Sequence, residues 1–250
     1  MTPMQADDIQ SYLKAKIAAL TPRIATDPAL APLLQALDNL TPFDIDRARE
    51  DPNRQNRRDL HADPVVTRAL ANLPAGTLPG TALLQLAPSL DWSAVFHGPE
   101  APPALCTTMH SVALGYVPHE ALQTGLHTGL FLLHPHLDYP LHSHIADEVY
   151  VCLSGHVRIR HGIHNHTIPL GPGDHSVTRS NIVHSLHTGD EPALLGYIWR
   201  GHLSAPNWWW HKDAKGVWLR TRWQWDDNHI WRSFETEPVT ADIMAQANPA

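Results

Sequence analysis

The chain has 250 residues with an apolar share of 43%, which suits one large domain or a core domain with an appended segment. Its 18 Lys and Arg against 25 Asp and Glu give a formal net charge of −7, which argues against a nucleic-acid surface and against an electrostatic membrane anchor. The chain has two cysteines and neither a secretory signal nor an apolar stretch long enough to span a bilayer, so we expect a cytoplasmic protein without a disulfide framework.

The first hundred residues predict a helical region that packs on the rest of the chain. Apolar residues at three- and four-residue spacing predict one helix from Asp7 or Asp8 to Leu20 and a second between Pro28 and Leu40. Shorter helices are predicted over residues 65–73 and 81–86. We therefore divide the chain at about residue 100, into a helical region (1–100) and a second part (101–250).

The second part predicts β-structure, because short apolar runs alternate there with Gly, Pro, Asn and Asp. The candidate strands are residues 111–117, 129–133, 148–153, 157–161, 166–170, 176–178, 185–187 and 194–200. Eight short strands with hairpin signals predict a jelly-roll barrel, so the expected fold class is mainly β, preceded by helices. Eight of the nine tryptophans lie between Trp199 and Trp231. We expect this extension to add strands or wrap the barrel, and the last dozen residues to be frayed.

Four polar residues, His142, His144, Glu148 and Tyr150, stand at even spacing in the segment PLHSHIADEVYVCLSG. Side chains on a strand alternate between two faces, so all four point to one side if residues 141–144 are also extended. Burying such groups without partners costs about 1–3 kcal/mol each. A bound metal ion would satisfy them, so the segment predicts a metal site.

A metal site inside a barrel needs a ligand from another strand, and His184 is the candidate. The tight turn at residues 171–174 (GPGD) is followed by a short predicted strand and a bend at Ser180 and Asn181. His184 then begins the next strand, which would bring it across the barrel to His142 and His144.

These two segments resemble the two motifs of the cupin superfamily. HSHIADEVYVCLSG matches the first motif, HxHxxxE followed by six residues and Gly, and GPGDHSVTRSNIVH resembles the second, in which PGD leads to a His. His136 stands where the first motif usually begins with Gly. The resemblance implies a jelly-roll barrel that holds a divalent metal ion.

Within the cupins, DYPLHSHIADEVYVCLSG and the later ALLGYIWRG are similar to the cupin-type dimethylsulfoniopropionate (DMSP) lyases. That resemblance implies cleavage of DMSP to dimethyl sulfide and acrylate by α-proton abstraction and β-elimination. It implies Tyr150 as a metal ligand and the catalytic base, and Tyr139 as a second catalytic residue beside the substrate. It also implies metal ligands at His144, Glu148 and His184, with His142 lining the substrate site. We expect Tyr197 and Trp199 to bind the substrate, because aromatic faces attract a sulfonium.

Several alternatives stay open from the sequence. Zinc is the first expectation for the metal, with iron or manganese as alternatives, because imidazole and carboxylate ligands accept all three. The alternative functions are a cupin dioxygenase, a lyase for another small carboxylate, and a non-catalytic small-molecule-binding cupin. The expected partner is a small-molecule substrate, and the tryptophans leave a homodimer open.

Overall fold

The computed structural model describes residues 6–48, 56–117, 125–164, 167–228 and 230–248. Five helices, α1 to α5, precede the sheets: Ala6–Leu20, Leu30–Asp38, Pro42–Arg47, Pro64–Ala71 and Leu78–Leu86. Two more, α6 (Pro103–Thr108) and α7 (Ala241–Ala247), follow later in the chain. No helix in these ranges combines the length and the apolar character that crossing a membrane requires.

The strands of the described residues form two antiparallel sheets. In chain order, β1 to β13 are Ser93–Ala94, Met109–Val117, Gly125–Leu133, Asp138–Ser143, Asp147–Ser154, Val157–His161, Ile168–Leu170, His175–Thr178, His184–Thr188, Ala193–Gly201, Asn207–Lys212, Trp218–Trp225 and Trp231–Pro238. The first sheet has the order β1-β2-β3-β10-β5-β8, and the second has β13-β12-β11-β4-β9-β6-β7. The prediction of a mainly β jelly roll preceded by helices is confirmed. Residue 166, where one predicted strand begins, lies outside the described residues.

Strand β5 has both faces buried, which explains why its sequence is almost continuously apolar. Val149 and Val151 belong to a core cluster shared with the helices, whereas Tyr150 and Cys152 belong to a second cluster between the sheets. Glu148 shares the inner face with Tyr150 because side chains alternate along a strand. The helices therefore cover the back of the first sheet, and the polar residues of β5 point between the sheets.

Helix α1 brings a lysine into this core. Its buried stripe contains Tyr12, Leu13 and Leu20 and also Lys16, whose side chain is only 1% exposed. The Lys16 ammonium donates a hydrogen bond to the carbonyl oxygen of Tyr197 at 3.0 Å. The helical region therefore contacts the back of β10 at a residue whose side chain lies on the inner face. The division of the chain at residue 100 stays a prediction.

The Trp-rich extension continues the second sheet, because β11 pairs with β4.

The expectation that the last dozen residues are frayed is wrong for residues 239–248. Thr240 caps α7 by accepting a hydrogen bond from the backbone N–H of Ile243, and such a cap stabilises a helix start by about 1 kcal/mol. Ala247 is buried, and its carbonyl accepts a hydrogen bond from the Val183 N–H at 2.9 Å.

In the turn before β4, a residue other than glycine adopts the left-handed backbone conformation. His136, at the position where the motif usually has Gly, has φ of 59°. His is one of the non-glycine residues that tolerate this region better than most. Its N–H donates to the carbonyl of Gly189 at 2.9 Å, which fixes the turn.

Candidate active site

Four of the motif residues line a cavity of about 610 Å³ between the two sheets. The first sheet contributes Glu148 and Tyr150 from β5, and the second contributes His142 from β4. His184 on β9 is the register partner of His142, and its ligand nitrogen lies within 4.8 Å of those of His142 and His144. His144 lies in the loop that connects β4 to β5. The predicted proximity of His184 to His142 is confirmed, because the two are register partners. They lie on neighbouring strands of one sheet, β4 and β9, and not across the barrel from each other.

The three imidazoles are oriented by backbone carbonyls. Nδ1 of His142 donates to the Pro140 carbonyl at 2.8 Å, and Nδ1 of His144 donates to the Ala146 carbonyl at 2.9 Å. Nδ1 of His184 contacts the carbonyl of residue 182 in the same way, at 3.0 Å. Because a carbonyl only accepts, each Nδ1 carries a proton, which in a neutral ring leaves the lone pair at Nε2. This is how metal-ligating histidines are usually oriented.

A carboxylate faces two of these lone pairs. Oε2 of Glu148 lies 3.5 Å from Nε2 of His144 and 3.3 Å from Nε2 of His184. All three atoms are buried and lack a hydrogen-bond partner in the described part of the chain. Facing acceptors of this kind are costly in a protein interior unless a cation lies between them.

The charges of the site also suit a cation. Burial lowers the pKa of the imidazoles of His142 and His184, and the neighbouring imidazoles lower that of His142 further. Burial raises the pKa of the Glu148 carboxyl, but hydrogen bonds and positive charge from the imidazoles of His144 and His184 bring it down to about 2 when those rings are protonated. Neutral imidazoles with one carboxylate are a donor set for a divalent transition metal.

His142 is more central than the sequence resemblance implies. The ligand nitrogens of His142, His144 and His184 all lie within 4.8 Å of one another, and all three residues are buried. The position of His142 is therefore suitable for a metal ligand, although the resemblance implies a substrate-binding role for it. The roles of the individual residues stay predictions.

Two phenols lie beside the metal-binding cluster. The ring of Tyr139 stacks on that of His142 with centroids 4.0 Å apart, and Tyr150 lies on β5 two residues from Glu148. Burial, followed by the charge of Glu148, raises the pKa of both phenols well above the ordinary value. Neither phenol ionises near neutral pH unless a positive charge offsets these effects.

The residues predicted on β10 also face the cavity. Tyr197 pairs with Tyr150 and Trp199 pairs with Glu148 in the register of β10 and β5. The Trp199 ring lies 4.5 Å from that of His144, and its buried indole N–H has no hydrogen-bond partner among the described residues. The hydroxyl of Tyr197 contacts Nε2 of His127 at 3.0 Å.

Sequence reasoning missed the outer wall of the cavity. Phe96, Trp225 and Trp231 line it together with Asp226 and Asp227. The only sequence signal was the concentration of tryptophan after residue 198, which did not show which rings face inward. Among the described residues that line the cavity there is no Lys or Arg.

Comparisons with known proteins agree with the fold and the motifs. A model of the dimethylsulfoniopropionate lyase family matches residues 53–195. The dimethylsulfoniopropionate lyase DddQ of Ruegeria pomeroyi is 27% identical over 200 residues, which are 80% of this chain and 92% of that protein. The crystal structure of DddQ from the same organism has a TM-score of 0.52 at 23% identity, covering 80% of this chain and 95% of that chain. The cupin jelly-roll fold is thereby confirmed.

Proposed function

This chain belongs to the dimethylsulfoniopropionate lyase family, and we propose that it is a metal-dependent lyase that cleaves DMSP into dimethyl sulfide and acrylate. The observation that carries the proposal is the buried cluster of three imidazoles and Glu148 between the sheets. The same cavity has aromatic walls, which suit the sulfonium of the substrate. A zwitterion with a carboxylate at one end and a cation at the other therefore matches the site.

The carboxylate end has few places to bind. No described Lys or Arg lines the cavity, so a carboxylate finds neither of the usual protein cations. We place it against the metal ion that the imidazole cluster would hold, with the Trp199 indole N–H, which has no hydrogen-bond partner among the described residues, as a donor. This placement leaves the sulfonium pointing away from Glu148, toward the aromatic wall.

We assign the metal to His144, His184, Glu148 and Tyr150. The ligand nitrogen of His142 lies within 4.8 Å of those of His144 and His184, so His142 is a further candidate ligand. When bound, a divalent cation there would stabilise the negative charge that develops on the substrate carboxylate and would favour the ionised form of the adjacent phenol. Zinc is our first choice because imidazole and carboxylate are its usual ligands, with iron or manganese as alternatives.

Tyr150 is the proposed base. Its oxygen would take the proton from the carbon next to the carboxylate, and the electron pair of that C–H bond would form the new C=C bond. The C–S bond then breaks, and both of its electrons leave with neutral dimethyl sulfide, so no acid is needed. Tyr150 is suited to this role because it is buried on the inner face beside Glu148.

Tyr139 and Tyr197 would hold the substrate in position for this step. Tyr139 stacks on His142, and Tyr197 stacks on Phe131 with centroids 4.3 Å apart. Both rings line the cavity beside Tyr150. Their faces would attract the sulfonium by about 0.5–2 kcal/mol each.

The test is direct. Purified protein is loaded with Zn²⁺, Fe²⁺ or Mn²⁺, DMSP is added, and the headspace is analysed for dimethyl sulfide by gas chromatography while acrylate is measured in solution. We expect both products in equal amounts with at least one of the metals. A protein that binds metal at one ion per chain and releases neither product would overturn the proposal.

A further inference from the structure

The hairpin of β12 and β13 builds the outer part of the cavity, beyond the region that the family model matches. The model ends at residue 195, whereas the hairpin spans residues 218–238. Its inner side presents Trp225 and Trp231 to the cavity, together with the turn residues Asp226 and Asp227. The outer wall is therefore made by a segment to which the proposed chemistry assigns no role.

The aromatic rings of this wall form a continuous path to the metal-binding cluster. Trp225 lies 5.0 Å from Trp231, Trp231 lies 5.4 Å from Phe96, and Phe96 lies 5.5 Å from Tyr139, measured between ring centroids. Tyr139 in turn stacks on His142. Only two carbons separate the carboxylate and the sulfonium of DMSP, whereas three ring-to-ring contacts separate Trp225 from Tyr139 along this path.

The hairpin turn places negative charge at this end of the cavity. Asp226 is partnered, because its Oδ2 accepts from Arg232 at 3.1 Å and its Oδ1 accepts from the N–H groups of Asn228 and Ile230. The same guanidinium also pairs with Glu100. Asp227 is exposed at the mouth and forms no ion pair within the described ranges. With no described Lys or Arg on the cavity wall, this end of the cavity favours cations over anions.

We propose that Trp225, Trp231 and Asp227 form an outer subsite that captures small methylated onium cations, meaning sulfonium or quaternary ammonium groups, before they reach the inner cluster. An aromatic face with a nearby carboxylate is the usual way in which proteins recognise such groups. The subsite rests on the proposed function only in that the captured cation would be that of the substrate. Trp225 of the C-terminal extension would then raise the affinity for the substrate without taking part in the cleavage of the C–S bond.

The test uses choline as the probe, because it has an onium group and no carboxylate for the inner cluster. Choline binding is measured by calorimetry and by tryptophan fluorescence on the full chain, and 3,3-dimethyl-1-butanol serves as the uncharged probe of the same shape. We expect choline to bind and the alcohol to bind at least about fivefold more weakly. Equal binding of the two probes, or no binding of choline, would overturn the subsite.

Variants locate the binding. Trp225→Leu should weaken choline binding about three- to tenfold and Trp225→Phe less, because indole is the best aromatic partner for a cation. Asp227→Asn, at an exposed position, should weaken binding about twofold at low salt and not at high salt. Trp218→Leu is the matched control, since Trp218 lies on the same strand but packs with α7 on the other face. Unchanged choline binding in both Trp225→Leu and Asp227→Asn would contradict the proposal.

Kinetics separate this subsite from the lyase activity. If DMSP is cleaved, Trp225→Leu should raise KM about three- to tenfold and leave kcat within twofold. An unchanged KM in an active enzyme would overturn the subsite and leave the lyase proposal standing. Choline binding that depends on Trp225 in a protein without lyase activity would support the subsite and contradict the lyase proposal.

Discussion

His142 and His184 are direct partners in the antiparallel pairing of β4 with β9, and their ring centroids lie 4.0 Å apart. Because His142 reaches the ligand cluster from the opposite strand, we predict that His142→Ala weakens metal binding at least about tenfold. The measurement is metal content by mass spectrometry after dialysis against graded chelator. His161→Ala is the control, since the ring of His161 lies 6.4 Å from that of His184 and its Nε2 contacts the hydroxyl of Thr178. Equal metal content in the two variants would exclude His142 as a ligand.

Tyr150→Phe removes the proposed base and keeps the ring that packs between the sheets. We expect dimethyl sulfide release to fall at least about a hundredfold, the usual range for losing a general base. Tyr116→Phe, which removes another phenol from the cavity wall, should change the rate less than fivefold. A dioxygenase gives Tyr150 no role as a base, so a Tyr150→Phe protein that consumes oxygen with a small carboxylate at the wild-type rate would favour that alternative.

Metal removal should lower thermal stability, because the unpartnered atoms of His144, Glu148 and His184 are then left buried without a cation. At a free metal concentration one hundred times the dissociation constant, binding adds about 2.7 kcal/mol to the free energy of unfolding. For a chain of this length that corresponds to a rise in Tm of about 5–10 °C. Differential scanning calorimetry with and without a chelator measures it, and identical Tm values would contradict a preformed site.

Lys16 makes stability depend on pH. Burial lowers the pKa of its ammonium from 10.5 to about 7. Between about pH 7 and pH 10 the unfolded chain holds a proton that the folded chain has released, so this lysine makes stability rise with pH in that window, and its full destabilising effect is present below pH 7. We predict that Lys16→Met stabilises the protein, and does so by about 2 kcal/mol more at pH 6 than at pH 9.

The measurement is urea unfolding of the wild type and Lys16→Met at both pH values. Lys14→Met is the matched control, because Lys14 lies on the same helix and is exposed. Its effect should be small and independent of pH. A Lys16→Met protein that is destabilised equally at both pH values would mean that the hydrogen bond to the Tyr197 carbonyl outweighs the cost of burying the ammonium.

The inner half of the site could be predicted because its residues follow the period of a strand. Glu148 and Tyr150 share a face whatever the surrounding fold, and the turn before β8 leads His184 to the next strand. His142 was harder to assign. Its distance from the other ligands depends on how β4 pairs with β9 across an irregular register between Tyr139 and His142, which no local pattern encodes.

The packing of the Trp-rich extension could not be predicted, because the three consecutive tryptophans of β11 show no alternation of polar and apolar residues. Trp209 packs between the sheets, whereas Trp208 and Trp210 pack with α7 on the other face. Both faces of β11 are thus covered, and covering of this kind removes the signal that reveals a strand. The prediction of a frayed terminus overlooked Thr240, which stands immediately before a short run of helix-forming residues and caps α7.

Helix α7 has a practical consequence for handling the protein. The N–H of Val183 donates to the Ala247 carbonyl, and the N–H of Ile163 donates to the Asn248 side chain at 2.8 Å. Val183 directly precedes His184. Ending the recombinant polypeptide at residue 239 would remove both hydrogen bonds and release the segment that orients the His184 imidazole. Expression clones that end there would be expected to yield protein with impaired cofactor loading, even where the barrel itself assembles.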